Sequence, residues 1–305
     1  MGSQLTMNDS DSREINCEIT QKSRQNYVSF ILRCVHSLAG VVFTLFLCEH
    51  IFTNMLASSY FREGSGFVRL VNSFHRLPGL KVIEIVCLAL PFLCHTVIGI
   101  LYLFQASPNS GVSRGSKPAL FYARNIAYTW QRRTAWILLF GLIFHIVQFR
   151  FICYPIHVEL HGQTYYGVRI HPERYSVIVR GTHGMFTVNF SDPQHHTLRL
   201  DISDFEGDQV SRLSTHPYLL TPSIGTAFLY TVRNALGSLW MAIFYTLLVI
   251  AAAFHGFNGL WTFSSRWGII IPSRLQTLLR NLCYCAMVVI IAMGVSMIWN
   301  IYNMA

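Results

Sequence analysis

AAAFHGFNGLWTFSSRWG, residues Ala251 to Gly268, is the stretch on which the fold turns. It closes a long apolar run, places His255 on a membrane helix, follows it with Gly256 and Gly259, and supplies the cation Arg266 eleven residues after the histidine. Working outward, three other apolar runs each carry a histidine at a comparable place: His50, His95 and His145. Runs of this length cross a bilayer core of roughly 30 Å.

Composition agrees. Of 305 residues, 52% are hydrophobic and 12% charged, which marks an integral membrane protein. The net charge of +9 does not indicate nucleic acid, because Lys and Arg sit largely at the ends of apolar runs, as membrane topology requires. Six of the eight cysteines (Cys34, Cys48, Cys87, Cys94, Cys283 and Cys285) lie within or at the edge of those runs, where a thiol acts as a small hydrophobe. No CxxC or CxxCH occurs, so neither a zinc clip nor covalent haem attachment is indicated.

The expected fold is all-α, with five transmembrane helices. Residues 1–26 are polar and of mixed charge, and read as a disordered cytoplasmic tail. Residues 27–154 hold helices one to three, at about Tyr27 to Leu56, Val82 to Gln105 and Thr134 to Tyr154. In the second, Pro91 stands four residues before His95 and is expected to kink the helix or free a carbonyl near that histidine. Residues 155–226 form a connection with alternating stretches YYGVRI, YSVIVRG, MFTVNF and HTLRLDI, read as three or four strands of a small β-rich insertion. Its seven histidines, His195 and His196 included, show no regular ligand spacing and read as scattered surface residues. Residues 227–305 hold helices four and five, at about Ala227 to Trp261 and Leu282 to Tyr302. The fifth lacks histidine and is expected to lie outside a four-helix core.

Charge sets orientation, and orientation sets depth. Eleven cations flank the N-terminal end of helix one, the second connection and the fourth, against four in the first connection and none in the C-terminal tail. The excess places the N-terminus and those two connections in the cytoplasm. Each histidine lies in the later half of its helix, so His50 and His145 share an outer level, while His95 and His255 share an inner one. Iron in haem b takes an axial imidazole on each face, and a porphyrin between helices needs small neighbours. Gly99, Gly141 and Gly259 stand one turn from His95, His145 and His255; His50 has Phe46 and Asn54 instead. A lone membrane histidine is commonly an interhelical hydrogen-bonding residue or a proton relay. Four of them, paired by depth, point to two haems b. Glu49, beside His50, reads as a proton carrier for quinone chemistry or as a snorkelling carboxylate.

Five segments carry a family resemblance: RCVHSLAGV (33–41), HIFTN (50–54), ALPFLCHTVIG (89–99), QRRTAWILLFGLIFHIVQFR (131–150) and AFHGFNGLWTFSSRWG (253–268). Together they resemble the five-helix, two-haem cytochrome b subunit of succinate dehydrogenase and quinol:fumarate reductase, the succinate dehydrogenase branch in particular. The resemblance implies that His95 and His255 bind the haem proximal to an iron-sulfur subunit, that His50 and His145 bind the distal one, and that His36, Ser37, Gln131 and Arg266 lie near the proximal propionates. Gln131 precedes His145 by 14 residues, as His36 precedes His50, and Arg266 returns to nearly the face of His255 about 16 Å further on. Arg266 reads equally as an interfacial anchor.

The resemblance also implies a bacterial cytoplasmic membrane, quinone as electron acceptor, and two partners: a flavoprotein subunit with covalent FAD and an iron-sulfur subunit. This chain has no dinucleotide fingerprint and no cysteine cluster, so succinate oxidation would belong to the complex. The long third connection departs from the family. Two other readings stand beside this one: the dihaem cytochrome of a hydrogenase or formate dehydrogenase, and a haem-free transporter with relay histidines.

Overall fold

A computed structural model of the chain describes residues 9–105, 122–160, 163–169, 185–188, 198–201 and 218–304. It is mostly helical, with five helices long and apolar enough to cross a membrane: Asn26–Met55, Leu80–Gln105, Arg124–Ile152, Leu239–Arg266 and Ser273–Met304. Large apolar side chains face outward along them, as with Phe104 at 75% exposure and Trp240 at 79%, which suits a lipid surround. The protein is a multi-pass membrane protein.

Helix α1, Asp9–Met55, starts well before Tyr27. The segment read as a disordered tail is helical from Asp9, because no Gly or Pro interrupts residues 9–39 and Asp9 and Asp11 stand in its first turn, in keeping with the helix dipole. A shorter amphipathic helix, α2 (Ser65–His75), follows and buries Phe67 and Val71.

The second span, α3 (Leu80–Gln105), contains a π-helical turn at Glu84–Ala89. Pro91 lacks an N–H, and its ring crowds the carbonyl four residues back, so the widened turn precedes the proline and the helix is regular again from Leu90 through His95. The disturbance therefore falls on the side of Pro91 away from His95. Helix α4, Ala123–Ile146, runs on through a second π-helical turn, Val147–Ile152.

The fourth apolar run is two helices, not one. Helix α5 (Ile224–Leu236) ends at Gly237, and α6 (Leu239–Arg266) starts afresh with the Ser238 hydroxyl accepting from Met241 N–H. A glycine followed by an N-capping serine stops one helix and starts the next. Helix α5 packs against α2, where Asn72 Oδ1 accepts from Gly225 N–H at 2.8 Å and Asn72 Nδ2 donates to Ser223 Oγ at 3.0 Å. Gly225 is required there, since a Cβ would stand 2.4 Å from the Val68 carbonyl oxygen.

The last helix, α7 (Ser273–Met304), is less peripheral than expected. It runs along α6 and α1 and buries Cys283, Ile290, Met297, Ile298 and Ile301. Apolar area alone does not drive helices together in lipid, so close packing must. Gly294 permits it: a Cβ there would lie 2.8 Å from Val249 Cγ1. Asn300 then fastens the far end, accepting from Ser59 N–H at 2.8 Å and donating to Ser59 Oγ at 2.9 Å.

Strands β1 (Ile156–Leu160), β2 (Gln163–Arg169) and β5 (Tyr218–Thr221) form an antiparallel sheet in the order β1-β2-β5. Strands β3 (Met185–Val188) and β4 (Leu198–Asp201) pair separately. Strand β2 includes most of YYGVRI, while β3 and β4 fall in MFTVNF and HTLRLDI. YSVIVRG, His195 and His196 lie outside the described residues. Of the two outermost strands of the three-stranded sheet, β5 (YLLT) carries no alternation to read, whereas β1 (IHVEL) alternates apolar and polar residues and was within reach of the pattern.

Candidate haem-binding sites

Helical register brings the four histidines together in two pairs. His95 on α3 and His255 on α6 meet with ring centroids 6.1 Å apart and planes at 84°. His50 on α1 and His145 on α4 meet at 5.8 Å and 83°. Histidines expected at one depth are thus neighbours in space. His36 and His50 lie 14 residues apart on α1, about 21 Å along the axis, so the pairs occupy different levels of the bundle.

The inner pair sits in an ordered hydrogen-bond setting. His95 Nδ1–H donates to the His36 carbonyl at 2.9 Å, and His36 Nδ1–H returns a bond to the His95 carbonyl at 3.1 Å. A carbonyl only accepts, so both rings carry their proton on Nδ1 and leave Nε2 with a free lone pair. The two rings stack at 4.1 Å, and His36 therefore lies flat on His95. Gly40 makes the approach possible: a Cβ there would stand 2.9 Å from His95 Cε1. Across the site, Gln131 Nε2 donates to the His255 carbonyl at 3.0 Å, while its Oε1 accepts from Asn258 Nδ2 at 2.7 Å. Trp261 Nε1–H in turn donates to Asn258 Oδ1 at 2.9 Å. This chain of bonds ties α4 to α6 beside His255.

Ser37 Oγ–H donates to the Cys34 carbonyl at 3.0 Å and accepts from Trp267 Nε1–H at 3.0 Å. Trp267 follows Arg266, the last residue of α6, so this bond brings the exposed Arg266 end of α6 to the Ser37 turn of α1. His36, Ser37, Gln131 and Arg266 thus all lie toward the end of the bundle that holds the His95–His255 pair. Only His36 and Gln131 touch a pairing histidine.

The outer pair is more apolar. His50 stacks on Phe46 at 5.4 Å, and His145 meets Phe149 at 5.0 Å and Tyr245 at 5.8 Å. Tyr245 OH donates to Gln148 Oε1, and both residues are buried. His145 Nδ1 is buried and has no hydrogen-bond partner among the described residues. Glu49 points to the exposed side of α1, where Thr53 Oγ1–H donates to it at 2.6 Å.

The donor sets fit an iron porphyrin. Two imidazoles sharing one metal at about 2 Å each have ring centroids about 6 Å apart, as both pairs do. Among the described residues, no three or more His, Cys, Asp or Glu side chains gather as an all-protein metal site requires. A macrocycle supplies its own equatorial nitrogens, so two facing imidazoles are enough. Of the glycines expected to make room, Gly99 faces the His36 ring, Gly141 faces Leu248, and Gly259 lies 3.6 Å from Gln131 Nε2 by its would-be Cβ.

Over 266 residues the chain is 23% identical to a protein of Bacillus subtilis (strain 168), and the match covers 87% of this chain and 92% of the relative. That protein is the succinate dehydrogenase cytochrome b558 subunit. This chain is similar to it almost end to end. No family model matches the chain.

Sequence reading missed Gly40, Thr134 and Asn258. Each was within reach by helical periodicity: Gly40 stands one turn after His36, and Asn258 and Thr134 lie three residues after His255 and Gln131.

Proposed function

We propose that this chain is the cytochrome b membrane anchor of a succinate dehydrogenase, carrying electrons through two bis-histidine haems b between an iron-sulfur subunit and membrane quinone. The observation behind this reading is the two pairs of facing imidazoles. The likeness to a subunit of that name supports the choice of complex. Haem b bound at these pairs would supply one-electron redox chemistry within the bilayer. His95 and His255 would hold the inner group; His50 and His145 would hold the outer.

The remaining tasks belong to the chain's own groups. The His36 carbonyl fixes the tautomer of His95, so that Nε2 is the donor. Gln131 and Asn258 lock the backbone that carries His255. Phe46, Phe149 and Tyr245 surround the outer imidazoles with aromatic surface and keep water from them. Arg266, at the cytoplasmic end of α6, supplies positive charge suited to propionates. The N-terminus and the second and fourth connections face the bacterial cytoplasm, where the iron-sulfur and flavoprotein subunits dock, and residues 155–226 lie outside. Succinate oxidation, with its FAD and iron-sulfur clusters, falls to those partners.

Succinate added to membranes containing the native complex is expected to reduce the haem b of this chain, with malonate blocking the reduction. Reduction by formate or hydrogen, with none by succinate, would assign the cytochrome to a different dehydrogenase.

A further inference from the structure

Resting on the haem reading above, we infer that Thr134 is a positioning residue for the inner site, accepting the Nδ1 proton of His255 and thereby setting the donor strength of that imidazole. Thr134 Oγ1 lies 3.3 Å from His255 Nδ1, across the interface between α4 and α6. The direction of the bond follows from the hydroxyl's other contacts. Thr134 has a single hydroxyl proton, and Oγ1 lies 2.9 Å from the Trp130 carbonyl and 3.1 Å from that of Gln131. Those carbonyls can only accept, so they hold the hydroxyl proton between them. The oxygen lone pairs are then all that face His255, and the imidazole must be the donor. Its proton is on Nδ1, and Nε2 is left free to bind iron.

Geometry limits the alternatives. Thr134 is 6% exposed, so bulk water does not replace the hydroxyl as acceptor. The Gln131 side chain, also beside His255, holds the backbone carbonyl and Asn258 instead of the ring. At the inner site both imidazoles therefore donate Nδ1–H to an oxygen of the protein: His95 to the His36 carbonyl and His255 to Thr134. The outer site is built differently among the described residues: His145 Nδ1 has no hydrogen-bond partner, and the donor nitrogen of Asn54 lies 3.5 Å from His50 Nδ1 and 3.4 Å from its Nε2. Among the described residues, an oxygen that accepts the imidazole proton is thus a feature of one site and not of both.

An imidazole that donates its distal N–H gains imidazolate character, and the stronger ligand favours ferric over ferrous iron. Removing the acceptor reverses this. Thr134→Val keeps the branched shape and deletes the oxygen, while Thr134→Ser keeps the oxygen and deletes a methyl group.

The test is a potentiometric titration of both haems, with low-temperature EPR of the oxidised state, on the purified native complex and the two variants. Thr134→Val is expected to shift one midpoint upward and move one low-spin ferric signal, or to lose that one haem, with the other unchanged. Thr134→Ser is expected to match the native protein in both readouts. Two haems with unchanged midpoints and signals in Thr134→Val would overturn the inference while leaving the haem reading intact; so would a Ser variant that behaves like the Val variant. A native complex in which this chain binds no haem would instead overturn the reading on which the inference rests.

Discussion

Replacing His95 or His255 with alanine is expected to halve the haem bound per polypeptide and to weaken retention of the iron-sulfur subunit. Each imidazole faces its partner with ring centroids 6.1 Å apart, and among the described residues no cluster of three or more ligating side chains stands ready to replace it. The loss at His95 extends further, because its ring also stacks on His36 at 4.1 Å and donates to the His36 carbonyl. His50→Ala or His145→Ala is expected to remove the other haem and to slow quinone reduction, with the iron-sulfur subunit still bound. Haem per polypeptide and copurification of the partner subunits separate the two outcomes. A variant at any of these four positions that keeps both haems would contradict the pairing.

Gly40→Leu is expected to have nearly as large an effect without removing any ligand. A Cβ at residue 40 would lie 2.9 Å from His95 Cε1 and 3.1 Å from Nδ1, and the rest of a leucine would have to enter the space the ring occupies. The ring must leave, and its bond to the His36 carbonyl goes with it. Overpacking of this kind costs about 1–3 kcal/mol, too little to unfold a five-span bundle but enough to misplace an iron ligand. The inner haem should be lost, the outer kept and the helix content unchanged. Gly66→Ala is the matched control: its added Cβ would be 3.5 Å from Leu56 Cβ, which is ordinary contact, and both haems should remain. Full haem content in Gly40→Leu would mean that Gly40 does not seat His95.

Both predictions depend on features with very different visibility in the sequence. The spans were legible because twenty or so apolar residues in a row leave few alternatives in a chain of this composition. The pairing of His95 with His255 and of His50 with His145 was legible too, since charge at the flanks orients each helix and position along the helix gives depth. What escaped was set by local backbone chemistry. The Gly237–Ser238 break was hidden inside continuous hydrophobicity, and hydropathy does not register a helix cap. The two π-helical turns leave no mark in an apolar pattern. The close packing of α7 depends on Gly294, a single small residue in a run that otherwise looks lipid-facing.

The site residues divide along similar lines. Histidines stand out in a membrane helix because polar groups there are costly. Gly40 and Thr134 are common membrane residues, and each matters only through the ring it faces on a neighbouring helix. His36 and Gln131, expected near propionates, are in contact with His95 and with the backbone of His255.

The most direct measurement is a dithionite-reduced minus oxidised spectrum of the purified chain, with haem extracted and counted per polypeptide. Two non-covalent haems b per chain is the result this account predicts. A chain that binds none when expressed with ample haem would contradict it, and the four histidines would then have to be explained as a relay in a haem-free transporter.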